Sequence, residues 1–361
     1  MNKPTQIFTA LAAICLIAAM LGCRLASQLA GADAPANSNV TPAAITAVAA
    51  TKDRPPVSPT TETSPMEETS PPPAEPEEDA PAPTAAPQEE ALSEVEDCAE
   101  ETCILSGQFN LKRPIGAEGR RTIVYSSRFG SYSQTSGETR RAVFFLNSTG
   151  TPVLAAADGV VVVAGDDANN VYGKPRGYYG NLVILQHELP GLSTPLFTLY
   201  GHLEEVSVQS GDEVAAGEEI GKVGMSGAAT GSTLIFEVRL GENNIQAARN
   251  PELWLEALPD EDGQLQGTLA GRIEDAQGEA IRVDNIVIER LSGPGQPAID
   301  QYYASTYRDR DLSGLDPWEE NFAIGDLPAG PYQITFLMDG VQQRIIEVNP
   351  GKLTLVTFRI E

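Results

Sequence analysis

This chain of 361 residues has only two histidines, which limits the chemistry that it can perform. His187 lies in the segment VILQHE and His202 in LYGHL. A histidine can hold a metal ion or move a proton near neutral pH. Asp166, Asp167 and Glu237 could be combined with His202 into a substitute metal centre, but the Gly-Asp-Asp run follows a strand end and is better explained by a turn. No spacing of Ser, His and Asp indicates a catalytic triad.

The four cysteines fit a compartment outside the cytoplasm. Residues 1–22 are predicted to be a signal peptide, because an apolar run follows a short basic start. The run ends in Met-Leu-Gly-Cys and resembles a bacterial lipoprotein signal, which implies a lipid on Cys23. An ordinary cleaved signal and a retained anchor are the alternatives, although the run is shorter than the ~20 residues that a membrane helix prefers. Cys98 and Cys103 are predicted to form a disulfide; a metal site is the alternative, but no other His or Cys lies near them.

Residues 23–103 are predicted to be a disordered, acidic stalk. This segment is rich in Pro, Ala, Thr, Ser and Glu and has too few large apolar residues to form a core. Between Asp33 and Glu101 it has sixteen acidic residues against Lys52 and Arg54. The whole chain has a formal net charge of -26, which argues against a nucleic-acid partner because nothing would neutralise phosphates.

From residue 104 onwards the sequence predicts an all-β protein. Short runs of β-branched and aromatic residues are bounded by Gly, Asp or Pro, as is typical of strands. In a first block, residues 104–260, these runs are GVVVVAG (159–165), NLVILQHE (181–188), LFTLYGHL (196–203) and TLIFEVRL (233–240). A short helix is predicted near residues 251–258.

Several segments of this block follow one another as in a known family. They are GTPVLAAADGVVVVAG (150–165), YGNLVILQHE (179–188), TLYGHL (198–203), VQSGDEVAAGEEIGKVGMSG (208–227) and FEVR (236–239). Together they resemble the lysostaphin/LytM-type zinc endopeptidases, which cut peptidoglycan. The resemblance covers roughly 150 residues, a normal domain size. It implies an open β-barrel or sandwich with a groove across one sheet, and it makes His187 a common family residue that is not a ligand.

The resemblance also implies where metal ligands should lie. Family members have a His and an Asp four residues apart ahead of the GTPV turn, and a His-x-His just before the FEVR segment. The three ligand positions hold Arg140, Phe144 and Ile235 here, none of which can bind zinc. His202 matches a catalytic histidine, and Thr233 occupies the position of its partner histidine. By itself, a single histidine on a strand is more often structural than catalytic.

A second block, residues 265–361, is predicted to be a small β-sandwich. Its segments GRIEDAQGEAI and DLPAGPYQITF resemble the transthyretin-like and carboxypeptidase-regulatory-like sandwiches, which usually support or bind rather than catalyse. The acid-rich segment 308–321 is interpreted as a solvated loop, with a ligand loop or calcium site as the alternative. Fold analogy does not assign a function to this block.

These observations predict a non-catalytic, extracytoplasmic protein, membrane-anchored or secreted, that needs no cofactor. Its groove would bind peptidoglycan or a cell-wall hydrolase, and the residues expected to border it are Arg140, Tyr200, His202, Thr233 and Ile235. The alternatives are an active zinc endopeptidase with atypical ligands and a structural spacer in the envelope. Metal content separates the active endopeptidase from the other two hypotheses. Binding to cell wall separates the binding protein from the structural spacer.

Overall fold

The computed structural model describes residues 95–99, 101–107, 109–134, 136–309, 312, 314–315 and 318–361. The predicted signal peptide, Cys23 and the stalk up to residue 94 lie outside these residues. The all-β prediction is confirmed, because the described residues form eighteen strands and three single-turn 3-10 helices. No described helix is long and apolar enough to span a lipid bilayer.

The strands are β1 Val95–Ala99, β2 Thr102–Leu105, β3 Val143–Leu146, β4 Pro152–Leu154, β5 Gly159–Asp166, β6 Asn181–His187, β7 Leu196–Val206, β8 Glu213–Val214, β9 Glu219–Val223, β10 Thr233–Leu240, β11 Ala248–Arg249, β12 Gly267–Asp275, β13 Ile286–Leu291, β14 Ala298–Ala304, β15 Phe322–Leu327, β16 Gly330–Leu337, β17 Val341–Val348 and β18 Leu353–Ile360. The 3-10 helices are Tyr125–Ser127, Ile245–Ala247 and Pro251–Leu253, the last of which lies where a short helix is predicted.

The first block forms a nine-stranded sheet in which β10 pairs with three strands, β3, β7 and β11. The main order is β11-β10-β7-β6-β5-β8, with β3 paired to β10, and with β9 joining β7 to β4. Strand β10 is buried on both faces. Leu234, Phe236 and Val238 enter the main core, whereas Ile235 packs in a smaller cluster on the opposite face. This alternation follows from the two-residue period of a strand, and it gives the sheet a second buried face.

The second block forms two sheets that enclose a core of their own. One sheet has the order β1-β2-β18-β12-β15 and the other β14-β13-β16-β17. Strands β12 and β18 are parallel, and the other pairs are antiparallel. Large buried side chains from both sheets, including Phe322, Tyr332 and Phe358, fill the space between them. The block is therefore a β-sandwich.

The sandwich is completed by a hairpin from far earlier in the chain. Strand β2 pairs with β18, so that Leu105 is opposite Leu353 and Cys103 opposite Leu355. The boundary drawn from the sequence at residues 103 and 104 thus falls inside strand β2, and residues 95–99 and 102–103 pair within this sheet. Cys103 is disulfide-bonded. In the backbone ladder its Cα partner across the hairpin is Cys98, so a disulfide between the two remains the prediction.

The segment between β14 and β15 packs against the first block. Its described residues Leu312, Leu315 and Trp318 are buried in the main core, beside residues of the first block such as Trp254. Arg308 lies over the ring of Tyr132, 4.0 Å from its centroid. The interpretation of this segment as a solvated loop is therefore wrong for Leu312, Leu315 and Trp318, whose side chains are buried because they cover the junction between the two blocks.

Candidate functional site

A cavity of about 250 Å³ opens on the second face of the nine-stranded sheet. Strands β3 and β10 form part of its lining, and the segments around residues 138 and 228–231 contribute as well. The residues that matter for its chemistry are Arg140, Phe144, Tyr178, His202, Thr233 and Ile235. The fold thus brings together residues from segments more than ninety positions apart in sequence.

The register of β3 against β10 explains how four of these residues meet. Phe144 and Ile235 are Cα partners in the antiparallel ladder. Thr233 lies two residues from Ile235 and therefore on the same face of β10. Arg140 precedes β3 and lines the same cavity. The positions that the family resemblance assigns to two metal ligands are thus direct cross-strand neighbours.

These residues do not fit a zinc ion. Zinc in proteins is held by thiolate, imidazole and carboxylate groups. Phe144 and Ile235 offer hydrocarbon side chains, and Arg140 offers a cation without a lone pair. Among the described residues, no group of three or more His, Cys, Asp and Glu side chains is arranged to hold a metal. The mismatch lies in the chemistry of the donor set itself.

His202 reaches the cavity through an irregularity in β7. Val183 and Asn181 of β6 are two residues apart, but they pair with Tyr200 and Leu203, which are three apart. His202 also has a φ of +65°, in the left-handed region that few side chains favour. The extra residue is a β-bulge, which re-aims a side chain relative to regular alternation. His202 therefore faces the cavity, although regular alternation from Tyr200 would not direct it there.

Tyr200 does not border the cavity, contrary to the expectation from the sequence. It is fully buried in the main core, where its hydroxyl accepts a hydrogen bond from the backbone N–H of Ala156 at 2.8 Å. Simple two-residue alternation would put Tyr200 and His202 on one face. Because the bulge lies between them, they lie on opposite faces of the sheet.

The imidazole of His202 is enclosed by aromatic rings and held by one backbone carbonyl. It is stacked with Phe144, with 6.4 Å between ring centroids, and tilted against Tyr178 at 6.1 Å. Its Nδ1 lies 3.0 Å from the carbonyl oxygen of Ser226. A carbonyl only accepts, so Nδ1 carries the proton and Nε2 keeps a lone pair. Burial lowers the pKa of His202, and the ring is neutral at pH 7.

Glu237 contributes to the cavity wall, but its charge is already balanced. Its carboxylate accepts hydrogen bonds from the hydroxyl of Tyr179 at 2.7 Å and from Arg239 at 2.7 and 3.0 Å. Glu237 and Arg239 have side-chain exposures of 1% and 0%. A buried carboxylate with this set of partners is a structural ion pair. Burial raises the pKa of Tyr179, and the nearby negative charge of Glu237 raises it further.

The acidic pair near the end of β5 does not form a metal centre with His202. Asp167 accepts hydrogen bonds from the backbone N–H groups of Tyr179 and Gly180, at 2.7 and 3.0 Å. Asp166 accepts one from the N–H of Ala168 at 2.8 Å. Both carboxylates therefore order the loop that follows β5, as the turn interpretation predicts.

His187 is also explained by structure. It is fully buried, with Nδ1 2.8 Å from the carbonyl of Asp158 and Nε2 2.7 Å from the hydroxyl of Thr198. Both ring nitrogens are thus used by neighbours within the fold, and burial lowers the pKa of the ring. This agrees with a residue that takes no part in metal binding.

Three cavity residues were not identified from the sequence. Tyr178 packs against His202, and burial raises its pKa to about 12. Lys174 and Glu138 form an ion pair of 2.6 Å at the rim. Tyr178 and Lys174 lie between β5 and β6 and Glu138 precedes β3, in segments without the periodicity of a strand. Only the adjacent tyrosines of the Gly-Tyr-Tyr-Gly run gave a signal that could have been followed.

Comparison with known proteins supports the family resemblance for one part of the chain. Residues 138–247 match the model of peptidase family M23. This range contains the cavity residues from Arg140 to Glu237. The lysostaphin/LytM-type resemblance is therefore confirmed for this segment, which makes up less than half of the chain.

Individual relatives match over a similar stretch. The DD-carboxypeptidase/endopeptidase Mpg of Neisseria meningitidis serogroup B is 37% identical over 108 residues, which are 29% of this chain and 22% of the relative. The lipoprotein NlpD/LppB homolog of Pseudomonas aeruginosa is 33% identical over 105 residues, 29% of this chain and 31% of the relative. The catalytic domain of lysostaphin from Staphylococcus simulans is 30% identical, with a TM-score of 0.30, and the match covers 36% of this chain and 88% of that domain. The chain thus spans less than a third of either curated relative.

Proposed function

We propose that this chain is a non-catalytic protein of the cell envelope whose cavity binds cell-wall material. The observation that carries the proposal is the cavity itself. It gathers the residues at the family's metal-ligand positions, Arg140, Phe144 and Ile235, together with His202. A cavity is present at these positions, and its side chains there do not supply the donor atoms that zinc requires.

Hydrolysis at neutral pH would require a nucleophile that these residues do not generate. In a zinc hydrolase the metal lowers the pKa of bound water to near 7. His202 is neutral, but without such a water it has nothing suitable to deprotonate. The position of its partner histidine is occupied by Thr233, whose hydroxyl donates a hydrogen bond to the backbone carbonyl of Phe145 at 3.2 Å. Binding is therefore the activity that this cavity supports.

The proposed location is the outer side of a membrane, with a lipid on Cys23. The support is the signal-like N-terminal sequence and the similarity of part of the chain to a relative that is named as a lipoprotein. The proposed ligand is peptidoglycan, and a cell-wall hydrolase bound at the same cavity is the alternative. Replacement of Cys23 by Ala should abolish lipid labelling and release the protein from membranes.

The test combines metal analysis, digestion and co-sedimentation on the purified chain. We expect no stoichiometric zinc, no cleavage of isolated peptidoglycan, and sedimentation of the protein with it. Ala229→Trp places a large ring at the cavity and should abolish sedimentation. Ala298→Trp, an exposed position on β14 outside the cavity, is the matched control and should not.

Two results would overturn the proposal. One is a zinc ion in each chain that is lost together with peptidoglycan cleavage on chelation, which would indicate an active endopeptidase with atypical ligands. The other is a chain that neither sediments with peptidoglycan nor captures a hydrolase. That result would favour the remaining hypothesis, a structural spacer in the envelope.

A further inference from the structure

An arginine with no carboxylate partner among the described residues lines the cavity of this strongly acidic protein. The chain as a whole has a formal net charge of -26. The charged side chains that line the cavity are nevertheless three cations, Arg140, Arg141 and Lys174, and two anions, Glu138 and Glu237. A cation in a recess with low-dielectric walls attracts anions.

Arg140 is the cation whose charge the fold leaves uncompensated. Lys174 is paired with Glu138 at 2.6 Å, and Glu237 is paired with the buried Arg239. The guanidinium of Arg140 donates from Nη1 to the hydroxyl of Ser131 at 3.3 Å, a neutral partner. Among the residues that the structure describes, no carboxylate forms an ion pair with it.

The surroundings of Arg140 favour a strong contact with an incoming anion. The side chain is half-buried, and burial lowers its pKa while leaving it charged at neutral pH. Phe144 and Ile235 supply apolar wall beside it. Charge-assisted hydrogen bonds are stronger in such a recess than in open water, and a guanidinium matches the two oxygens of a carboxylate.

The size of the cavity indicates which part of a ligand enters. Sites that enclose whole drug-sized ligands measure roughly 300–1,000 Å³. At about 250 Å³ this cavity is smaller, so it suits the end of a longer molecule. In addition, the Nε2 lone pair of His202 can accept a hydrogen bond from an N–H group of a ligand. A peptide end offers both groups, a carboxylate and an N–H.

We propose that the cavity binds the free carboxyl end of a short peptide, with Arg140 as the group that binds the carboxylate. The proposal rests on the proposed function and specifies its ligand class. It also assigns a role to the replacement at the first metal-ligand position: a fixed guanidinium takes the place of a metal ion as the centre of positive charge. A peptide without a free carboxylate should bind much more weakly.

The test uses a pair of probes that differ only in charge. N-acetyl-alanyl-alanine and its C-terminal carboxamide, each with L and with D residues, are titrated into the full chain by calorimetry. At least one free acid should bind about tenfold or more tightly than its carboxamide, because hydrogen bonds to a charged group exceed those to a neutral one by this order. Inorganic phosphate is titrated as a second anion and should bind more weakly than the acid.

Substitutions then test whether Arg140 causes the preference for the free acid over the carboxamide. In Arg140→Gln the acid should lose its advantage over the carboxamide, and Arg140→Lys should retain only part of it because the fork geometry is lost. Arg120→Gln is the matched control, since Arg120 is exposed and lies outside the cavity. It should keep the full preference for the acid.

The outcomes separate this inference from the proposed function. Equal binding of acid and carboxamide, absence of binding to both, tighter binding of phosphate, or a preference that survives in Arg140→Gln would each overturn the carboxylate site. The comparison of acid and carboxamide in the unaltered chain does not depend on any variant folding. If the unaltered chain still sediments with peptidoglycan in those cases, the proposed function stands and only the carboxylate site falls.

Discussion

At His202, burial and the backbone carbonyls of Ser226 and Tyr179 act on the pKa of the ring in opposite directions. Burial lowers the pKa because the imidazolium ion would lose its water, whereas the Ser226 carbonyl raises it, and burial has the larger effect. The hydroxyl of Ser226 also donates to the backbone carbonyl of Leu203 at 2.8 Å, which ties this partner to β7. The tautomer of His202 is therefore determined by its surroundings and does not require a metal.

The assignment of four positions to the family's histidines and aspartate can be tested by introducing those side chains. Together, Arg140→His, Phe144→Asp, Thr233→His and Ile235→His should create a site that binds one zinc ion per chain. The reason is that Phe144 and Ile235 are cross-strand partners and that all four positions line one cavity with His202. Elemental analysis after dialysis and zinc titration measure the effect.

The control for this variant keeps Ile235 and carries only the other three substitutions. It lacks one ligand and should bind zinc more weakly. Peptidoglycan cleavage is not required for success, because the hydrogen bonds that orient zinc ligands are not restored. If the fourfold variant folds but binds zinc no better than the parent chain, the placement is incorrect.

At the scale of elements, the hairpin β1–β2 connects the residues ahead of the first block to the last strand of the chain. Thr102 and Cys103 of β2 are opposite Val356 and Leu355 of β18, and Leu105 is almost fully buried. Glu101, at the turn, forms an ion pair of 3.0 Å with Arg344 on β17. Removal of the hairpin would therefore expose the edge of the sandwich sheet, a liability in β proteins.

Replacement of Cys103 by Ser should lower the free energy of unfolding by about 2 kcal/mol, the value expected for opening a short disulfide loop. The hairpin would lose its cross-link, and its pairing with β18 would be easier to open. Urea unfolding measures the change. Thr102→Ser, on the same strand, is the control, and a loss for Cys103→Ser within about 0.5 kcal/mol, as for ordinary surface substitutions, would contradict the prediction.

At the scale of the whole molecule, buried polar groups join the two β blocks. Arg113 of the first block pairs with Asp326 of β15 at 2.6 Å, with side-chain exposures of 4% and 10%. Glu252 pairs with Arg128 and accepts a hydrogen bond from the N–H of Gly325 at 2.6 Å. Breaking a buried pair of this kind strongly destabilises a protein, so the two blocks should unfold together.

Glu320, buried at this junction, should make stability depend on pH. Burial raises its pKa to about 7, and its carboxylate accepts hydrogen bonds from the N–H of Leu315 and the hydroxyl of Tyr307. A carboxyl group whose pKa is raised on folding contributes stability below its unfolded value near 4.5, and that contribution is lost as the pH rises through about 7.

The variant Glu320→Gln carries a neutral side chain of similar shape at every pH and removes this dependence. As the pH rises from 5 to 8, the parent chain should therefore lose on the order of 2–3 kcal/mol of unfolding free energy relative to this variant. Thermal or urea unfolding at both pH values measures the difference. Glu319→Gln, at a neighbouring position with 62% side-chain exposure, is the control. An equal pH dependence in Glu320→Gln and the parent chain would contradict the prediction.

Local order in the sequence was enough to predict four strands of the first block, β5, β6, β7 and β10, whereas the cavity positions followed from the family resemblance. The two-residue period of a strand predicts that Thr233 and Ile235 share a face, and the structure has them so. Arg140 and Phe144, which the resemblance placed four residues apart, line the same cavity. Such spacings are properties of the backbone and do not depend on distant contacts.

Only the tertiary structure decided the positions of Tyr200, of the hairpin and of the segment after β14. The bulge at His202 depends on the pairing of β7 with β6. The hairpin finds its partner about 250 residues later in the chain, and Trp318 is buried because the first block lies against it. Pairing across such separations is set by which surfaces can be buried together, and neither composition nor periodicity within a short segment contains that information.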